Sequence, residues 1–321
     1  MVRNVWLFVA AVLVMACASL AWAADETKKD IPLYDGKPGV KKWDVRINPK
    51  DGAEMVWVPA GEFLMGSTDE DIARLIKADS SLKAEWYDDE KPRRKVYLDG
   101  YWMYKTEVTV AQYRKFCKAT NREMPKAPGW GWKEDHPVVN VSWQEAVAYA
   151  KWAAASLPTE AQWEKAARGT DGREFPWGGE WPPKEKVGNF LDQSFGSDQS
   201  ELGKRLRSVL SEAGFKPLSG YDDGHAFTSP VGSYPSGASP YGCLDMAGNV
   251  WEWCADWYDE DYYGKAPSKN PPGPASGSDR VLRGGSWHLD YFVFFRCAYR
   301  ISFSPDLRSG DFGGFRCSRT P

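Results

Sequence analysis

The sequence predicts a mixed α+β domain in which irregular backbone outweighs regular layers. Composition is the first reason: 17 Trp, 30 Gly and 22 Pro in 321 residues describe a chain that turns often and is pinned by aromatic side chains. The second is the lack of a βαβ rhythm with a glycine fingerprint, which argues against a dinucleotide fold. The third is the lack of any repeat with a period of about 20 to 50 residues, which argues against solenoids and propellers. A formal net charge of −3 leaves no electrostatic footprint for nucleic acid. His136, His225 and His288 stand far apart and form no metal-ligand spacing.

Taken in order, the chain opens like an export signal. Arg3 supplies the charge, Val5 to Leu20 is almost wholly apolar, and Ala21-Trp22-Ala23 matches a small-x-small cleavage pattern. Residues 1–23 are therefore expected to be a signal peptide, which makes the protein periplasmic or extracellular. Val14-Met-Ala-Cys17 loosely resembles a lipobox, so a lipid anchor at Cys17 is the one expected route to a membrane. Residues 24–50 are polar, with Lys, Asp, Pro and Gly, and read as a linker; 51–319 read as the folded domain.

Within that domain, Glu54 to Pro59 and Gly61 to Gly66 read as a hairpin across a Pro-Ala-Gly turn. Asp69 to Trp86 reads as a helix with Ile72, Leu75 and Ile76 on one side, and Val96 to Glu107 as an aromatic strand. Thr109 can cap a helix over 110–119. Ser142-Trp-Gln-Glu145 and Thr159-Glu-Ala-Gln162 are capping boxes, opening helices through Ala154 and Arg168. After Gly169 only Gln199 to Ala213 has a helical stripe, as an insertion would; the final third alternates Gly/Pro turns with short aromatic runs. Gly284 and Gly285, between Val281-Leu282 and Trp287, predict a sharp turn with positive φ. With Cys17 removed, Cys117, Cys243, Cys254, Cys297 and Cys317 remain. An odd count leaves at least one thiol free or bonded to another chain, and the pairing is not readable from sequence.

Several strings together carry a family resemblance. They are Met55-Val-Trp-Val-Pro-Ala-Gly-Glu-Phe-Leu-Met-Gly66, Glu107-Val-Thr-Val-Ala-Gln-Tyr113, His136-Pro-Val-Val-Asn-Val-Ser-Trp143 and Leu157-Pro-Thr-Glu-Ala-Gln-Trp-Glu164. Gly242-Cys-Leu-Asp-Met-Ala-Gly-Asn-Val-Trp-Glu-Trp253, Arg283-Gly-Gly-Ser-Trp287 and Gly314-Phe-Arg316 complete the series. Over roughly residues 52 to 319 the chain resembles the formylglycine-generating enzyme, or sulfatase-modifying factor, family. The resemblance implies one α+β domain of C-type-lectin-like topology, and function does not follow from fold alone.

In the active enzymes of that family, a cysteine pair just beyond the Gly-Gly-Ser turn binds copper and the substrate thiol. Here that window is His288-Leu-Asp-Tyr-Phe-Val-Phe-Phe295, without a thiol, so no copper site is expected. Cys297 falls where the family has a structural half-cystine, and the family's partners for Cys297 and Cys317 align with Ala150 and Ala166 or Ala167. The resemblance also implies structural Ca²⁺ at Asn249 with Glu252, and at Asn189 with Asp223.

From His288 to Pro321 there is no Lys, Glu, Gln, Met or Trp, and every residue at 288–295 and 309–312 can be encoded by a codon ending in a pyrimidine. This resembles the variable region of proteins diversified by retroelements, several of which use a lectin-like scaffold. Residues 280–319 are then a candidate variable region. Its frame is Arg283-Gly-Gly-Ser-Trp287, Arg296, Ala298, Arg300, Pro305, Arg308 and Gly314-Phe-Arg316.

The expected contact residues are His288, Leu289, Asp290, Tyr291, Phe292, Val293, Phe294 and Phe295, with Ser302, Phe303, Ser309, Asp311 and Phe312. Large rings are the side chains that anchor interfaces, and the ligand class would be a protein or cell surface. Two other readings stay open: an oxidoreductase of the same family using residues other than the cysteine pair, and an accessory envelope component.

Overall fold

The computed structural model describes residues 31–321. The expected signal peptide, the Cys17 anchor and the start of the 24–50 segment lie outside the described residues. The remainder of that segment is not a free linker. Its strand β1 (Val45–Ile47) pairs antiparallel with β2 (Glu54–Val58), placing Val45 opposite Val56. Trp102 Nε1 donates to the carbonyl of Lys37 at 3.0 Å, and Trp43 Nε1 to that of Pro240 at 2.7 Å. These contacts hold the polar arm against the domain.

The expected hairpin does not form. After Pro59 the chain leaves β2's sheet, and β3 (Gly61–Met65) pairs with β4 (Arg94–Leu98) instead. The aromatic strand is likewise split at Asp99-Gly100, and its second half, β5 (Tyr101–Tyr104), returns to β2. The buried Lys165 Nζ holds the crossing between the two sheets, donating to the carbonyls of Pro59 and Gly61 at 2.8 and 2.9 Å.

The helices follow their caps. Helix α1 (Asp69–Ala78) starts at a Thr68/Asp71 capping box and stops at Asp79, which is extended; the chain resumes as a 3₁₀ turn over Ala84–Glu90. Helices α2 (Val110–Thr120), α3 (Trp143–Trp152) and α4 (Glu160–Arg168) begin at Thr109, Ser142 and Thr159, each with both halves of the box made. Beyond α4 come only α5 (Gln193–Ser197), α6 (Glu201–Glu212) and α7 (Tyr262–Lys265).

A further sheet carries the last third. In order it is β8 (Arg300–Phe303), β7 (Arg280–Arg283), β6 (Trp251–Trp257) and β9 (Gly313–Gly314), antiparallel except for β6 with β9. The C-terminal β10 (Ser318–Arg319) pairs with β5. Both ends of the domain therefore close one sheet.

Two large buried clusters and two smaller ones fill the space between these layers, and four arginines of the sequence frame are buried with them. Arg283 donates to Glu160 at 3.1 Å and Glu164 at 2.6 Å. Arg300 takes both oxygens of Glu160 at 2.8 Å. Arg316 takes both oxygens of Glu252 at 2.6 Å, and Arg296 pairs with Glu90. All eight side chains are buried. A buried charge is tolerated only when paired and hydrogen-bonded, so these arginines hold the frame and are closed to any ligand through the groups so engaged.

Candidate functional site

The site grows out of β7. Its last residue, Arg283, is locked by two carboxylates, and the chain then turns at Gly284 (φ +97°) and Gly285 (φ +75°), as expected. Only glycine fits the second position, where a Cβ would lie 2.7 Å from the Phe295 ring. Trp287 Nε1 donates to the carbonyl of Asp311 at 2.9 Å, which fastens the start of the window to the loop before β9. Residues Phe292–Phe295 form a single 3₁₀ turn, and Arg296 ends the window by pairing with Glu90.

The turn sorts the window into two sets. Phe295 is fully buried, its ring 4.3 Å from Phe190 and 5.3 Å from Trp181. Val293 is buried among Ile72, Leu75, Leu82 and Tyr87, and Leu289 in the main core. Leu289 also accepts from the Leu191 backbone N–H at 2.8 Å. These three residues, expected at the contact surface, are core. Ser309 is a fourth correction: it is buried, its hydroxyl donating to the carbonyl of Val141 at 3.1 Å. Short side chains there let Gly313 approach, since a Cβ on Gly313 would lie 2.2 Å from that of Ser309.

The other set is partly exposed: His288, Asp290, Tyr291, Phe292, Phe294, Asp311 and Phe312. The His288 and Phe312 ring centroids stand 5.2 Å apart, and those of Tyr291 and Phe292 4.9 Å. Ser302 and Phe303 are also partly exposed but sit on β8, where Phe303 packs 6.3 Å from Trp253.

Sequence reasoning missed two flanks. On one, the Tyr291 hydroxyl bonds to Asp79 at the end of α1. On the other, Lys216 N donates to Asp290 at 2.8 Å, and Phe215 lies 6.4 Å from His288 and 6.5 Å from Phe294. The segment that follows α6 is thus a wall of the site, a contact 74 residues away in sequence that carries no local signal.

Electrostatically the site is muted. Burial pushes His288 down to about 4, so its imidazole is neutral near neutral pH, with Nδ1 2.7 Å from the Ser286 hydroxyl. Burial raises the carboxyls of Asp290 and Asp311. The five cysteines of the described chain are free and buried. Burial pushes Cys243 up to about 11 and Cys297 up to about 12. Cys297 shares a cluster with Ala166 and Ala167, and Cys317 one with Ala150. Among the described residues no exposed thiol is available as a nucleophile at the window.

The two implied calcium sites differ. Asn189 Oδ1 is buried without a partner. Asp223 is pushed up to about 8 by burial and by the neighbouring Asp192. The two Asp223 oxygens accept from Phe190 N and His225 N at 2.9 and 2.8 Å, so Asn189 Oδ1 is the oxygen of this pair left without a partner, and an unmet oxygen beside a carboxyl is the kind of donor that suits Ca²⁺. Asn249 and Glu252 do not fit as a pair. Asn249 Oδ1 accepts from Ser229 N at 3.0 Å, and Glu252 is taken up by Arg316 and by Trp163 Nε1 at 2.9 Å.

The free oxygens are next door: Glu107 Oε2 and Asp245 Oδ1 are buried and unpartnered, and both carboxyls are raised, chiefly by burial. Glu107 accepts from Asn249 Nδ2 at 3.0 Å. Among the described residues no three His, Cys, Asp or Glu side chains converge in ligating geometry, so backbone carbonyls would have to complete either site.

These helices, short sheets and long irregular connections form a mixed α+β domain of the formylglycine-generating-enzyme-like, C-type-lectin-like fold. Residues 42–321 match the model of the sulfatase-modifying factor enzyme 1-like domain. The formylglycine-generating enzyme of Streptomyces coelicolor is 34% identical over 318 residues, covering 84% of this chain and 90% of that protein. The chain belongs to the sulfatase-modifying factor family. Among solved structures, PvdO from Pseudomonas aeruginosa is similar at a TM-score of 0.67 and 24% identity, over 88% of this chain and all of that one (100%). Treponema denticola variable protein 1 is similar at 0.58 and 24%, over 86% of this chain and 98% of that one.

Proposed function

We propose that this chain is an exported, non-enzymatic binding protein whose contact surface is His288, Asp290, Tyr291, Phe292, Phe294, Asp311 and Phe312. One observation carries the reading: Arg283, Arg296, Arg300 and Arg316 of the frame are buried and paired, whereas these seven keep exposed area on the same scaffold. Side chains that neither fill the core nor satisfy a buried charge can be exchanged without unfolding the domain. Rigid display of exchangeable side chains is how a paratope works.

The fold is shared with a protein named for its variability, which supports the reading, as does the export-like N-terminus. The ligand class is a protein or cell surface, reached through rings that bury large apolar area. A lipid anchor at Cys17 remains the proposed route to a membrane. Calcium, in this proposal, is structural: it cross-links the Asn189–Asp223 loops and occupies the Glu107–Asp245 pair.

A library randomised at His288, Asp290, Tyr291, Phe292, Phe294 and Phe312, displayed on cells, tests the proposal. Most members should unfold within a few degrees of the parent, and selection against hen lysozyme should enrich binders. A library that is mostly unfolded overturns it.

The second reading, a family oxidoreductase, is favoured by the enzyme name its relative carries. It predicts oxidation of a cysteine peptide when copper is supplied.

A further inference from the structure

The last residue of the window frame opens onto a cleft that the contact surface does not use. The cleft measures about 20 Å³ and is lined by five arginines, Arg74, Arg93, Arg168, Arg173 and Arg296. Two carboxylates, Asp71 and Glu174, share its wall. Arg168 and Arg296 form its floor and are 2% and 3% exposed. Their terminal nitrogens are engaged: Arg168 with Glu164 and the carbonyl of Gly66, Arg296 with Glu90. The Nε–H of each is buried and finds no acceptor.

Two unmet donors on charged groups in one recess form a costly arrangement. Closer to the mouth, Arg93 is held by Asp71 and Gly66, Arg173 by Asp171, and Arg74, mostly exposed, by Asp71. Asp71 in the wall and Asp171, Glu164 and Glu90 around it thus balance much of the charge, while the Nε–H donors of Arg168 and Arg296 stay unmet.

We infer that this arginine cleft is a binding site for a small oxyanion, distinct from the aromatic contact surface. The recess has room for about one oxygen atom, since a water needs roughly 10–15 Å³. One oxygen of a sulfate, phosphate or carboxylate would accept from the two floor Nε–H groups, and the rest of the anion would lie among the outer guanidinium groups. Guanidinium forks match planar and tetrahedral oxyanions alike.

The test is isothermal titration of the purified full chain with sulfate, phosphate and acetate, each against sodium chloride of equal ionic strength. Arg74→Gln with Arg173→Gln removes mouth charges while leaving the buried floor intact. Arg114→Gln with Arg205→Gln removes the same charge elsewhere. The expected result is saturable binding that weakens about tenfold in the cleft pair and is unchanged in the distant pair. Binding of sulfate and phosphate without acetate assigns a tetrahedral ligand; binding of acetate as well assigns a carboxylate. Heats that follow ionic strength alone, or equal affinity in all variants, overturn the inference.

Discussion

Phe295→Ala and the pair Phe292→Ser, Phe294→Ser lie within four residues of each other and should behave as opposites. Phe295 is 0% exposed and packs between Phe190, Trp181 and the Gly285 turn. Truncating a buried Phe typically costs about 3–5 kcal/mol. Two of its neighbours are rings and the third is a glycine at φ +75°, so little can collapse into the space and a loss of about 4 kcal/mol is expected. At roughly 2–4 °C per kcal/mol for a domain of this size, Tm should fall by about 10 °C.

Phe292 and Phe294 keep exposed area, and each serine substitution should cost only about 1 kcal/mol. Urea denaturation followed by tryptophan fluorescence measures all three. If Phe295→Ala stays within about 1 kcal/mol of the parent, or the paired serines unfold the domain equally, the division of the window into core and surface is wrong.

Three further outcomes follow from the same structure. Glu160→Gln removes the carboxylate that Arg300 grips with both arms and leaves Arg283 with Glu164 alone, so it should cost about 3–5 kcal/mol by the same denaturation assay, whereas Glu145→Gln, facing the exposed Arg308, should cost under about 1 kcal/mol. Asp223 stands at about 8 in the folded chain against 3.8 ordinarily, so without a cation its contribution to stability is full below the lower value and is lost as pH rises through the higher one. Added Ca²⁺ should accordingly raise Tm more at pH 8 than at pH 5, and a shift independent of pH would count against that site. Copper with a cysteine-containing peptide should give no turnover above that of a variant lacking Cys297, since that thiol is buried and raised to about 12; oxygen consumption decides.

What could be read from the sequence was local. The boxes at Ser142 and Thr159 started their helices because cap and partner lie three residues apart, and the Gly284-Gly285 turn needed only its own backbone. The hairpin at Pro59 failed because the strand partners are remote: β2 finds β5, and β3 finds β4. The arginine frame was visible as a pattern, but its carboxylates were not. Glu160 lies 123 residues from Arg283, and Glu90 lies 206 from Arg296.

The window itself was too uniformly apolar for periodicity to divide. A 3₁₀ turn, rather than a strand or an α-helix, decides which of its rings face inward. The engagement of Glu252 was illegible for a similar reason. Nothing near Glu252 in sequence announces that Arg316 will occupy it, leaving Glu107 and Asp245 with the unmet oxygens.

The claim that these surface positions exist to be exchanged is tested most directly in the gene. Sequencing the locus should reveal a near-copy of the final coding segment beside a reverse transcriptase gene. Differences should fall at adenines of the template and within codons for the exposed window residues, leaving Arg283, Arg296, Arg300 and Arg316 untouched. A locus with no second copy, and the same codons at 288–295 in independent isolates, would contradict the account.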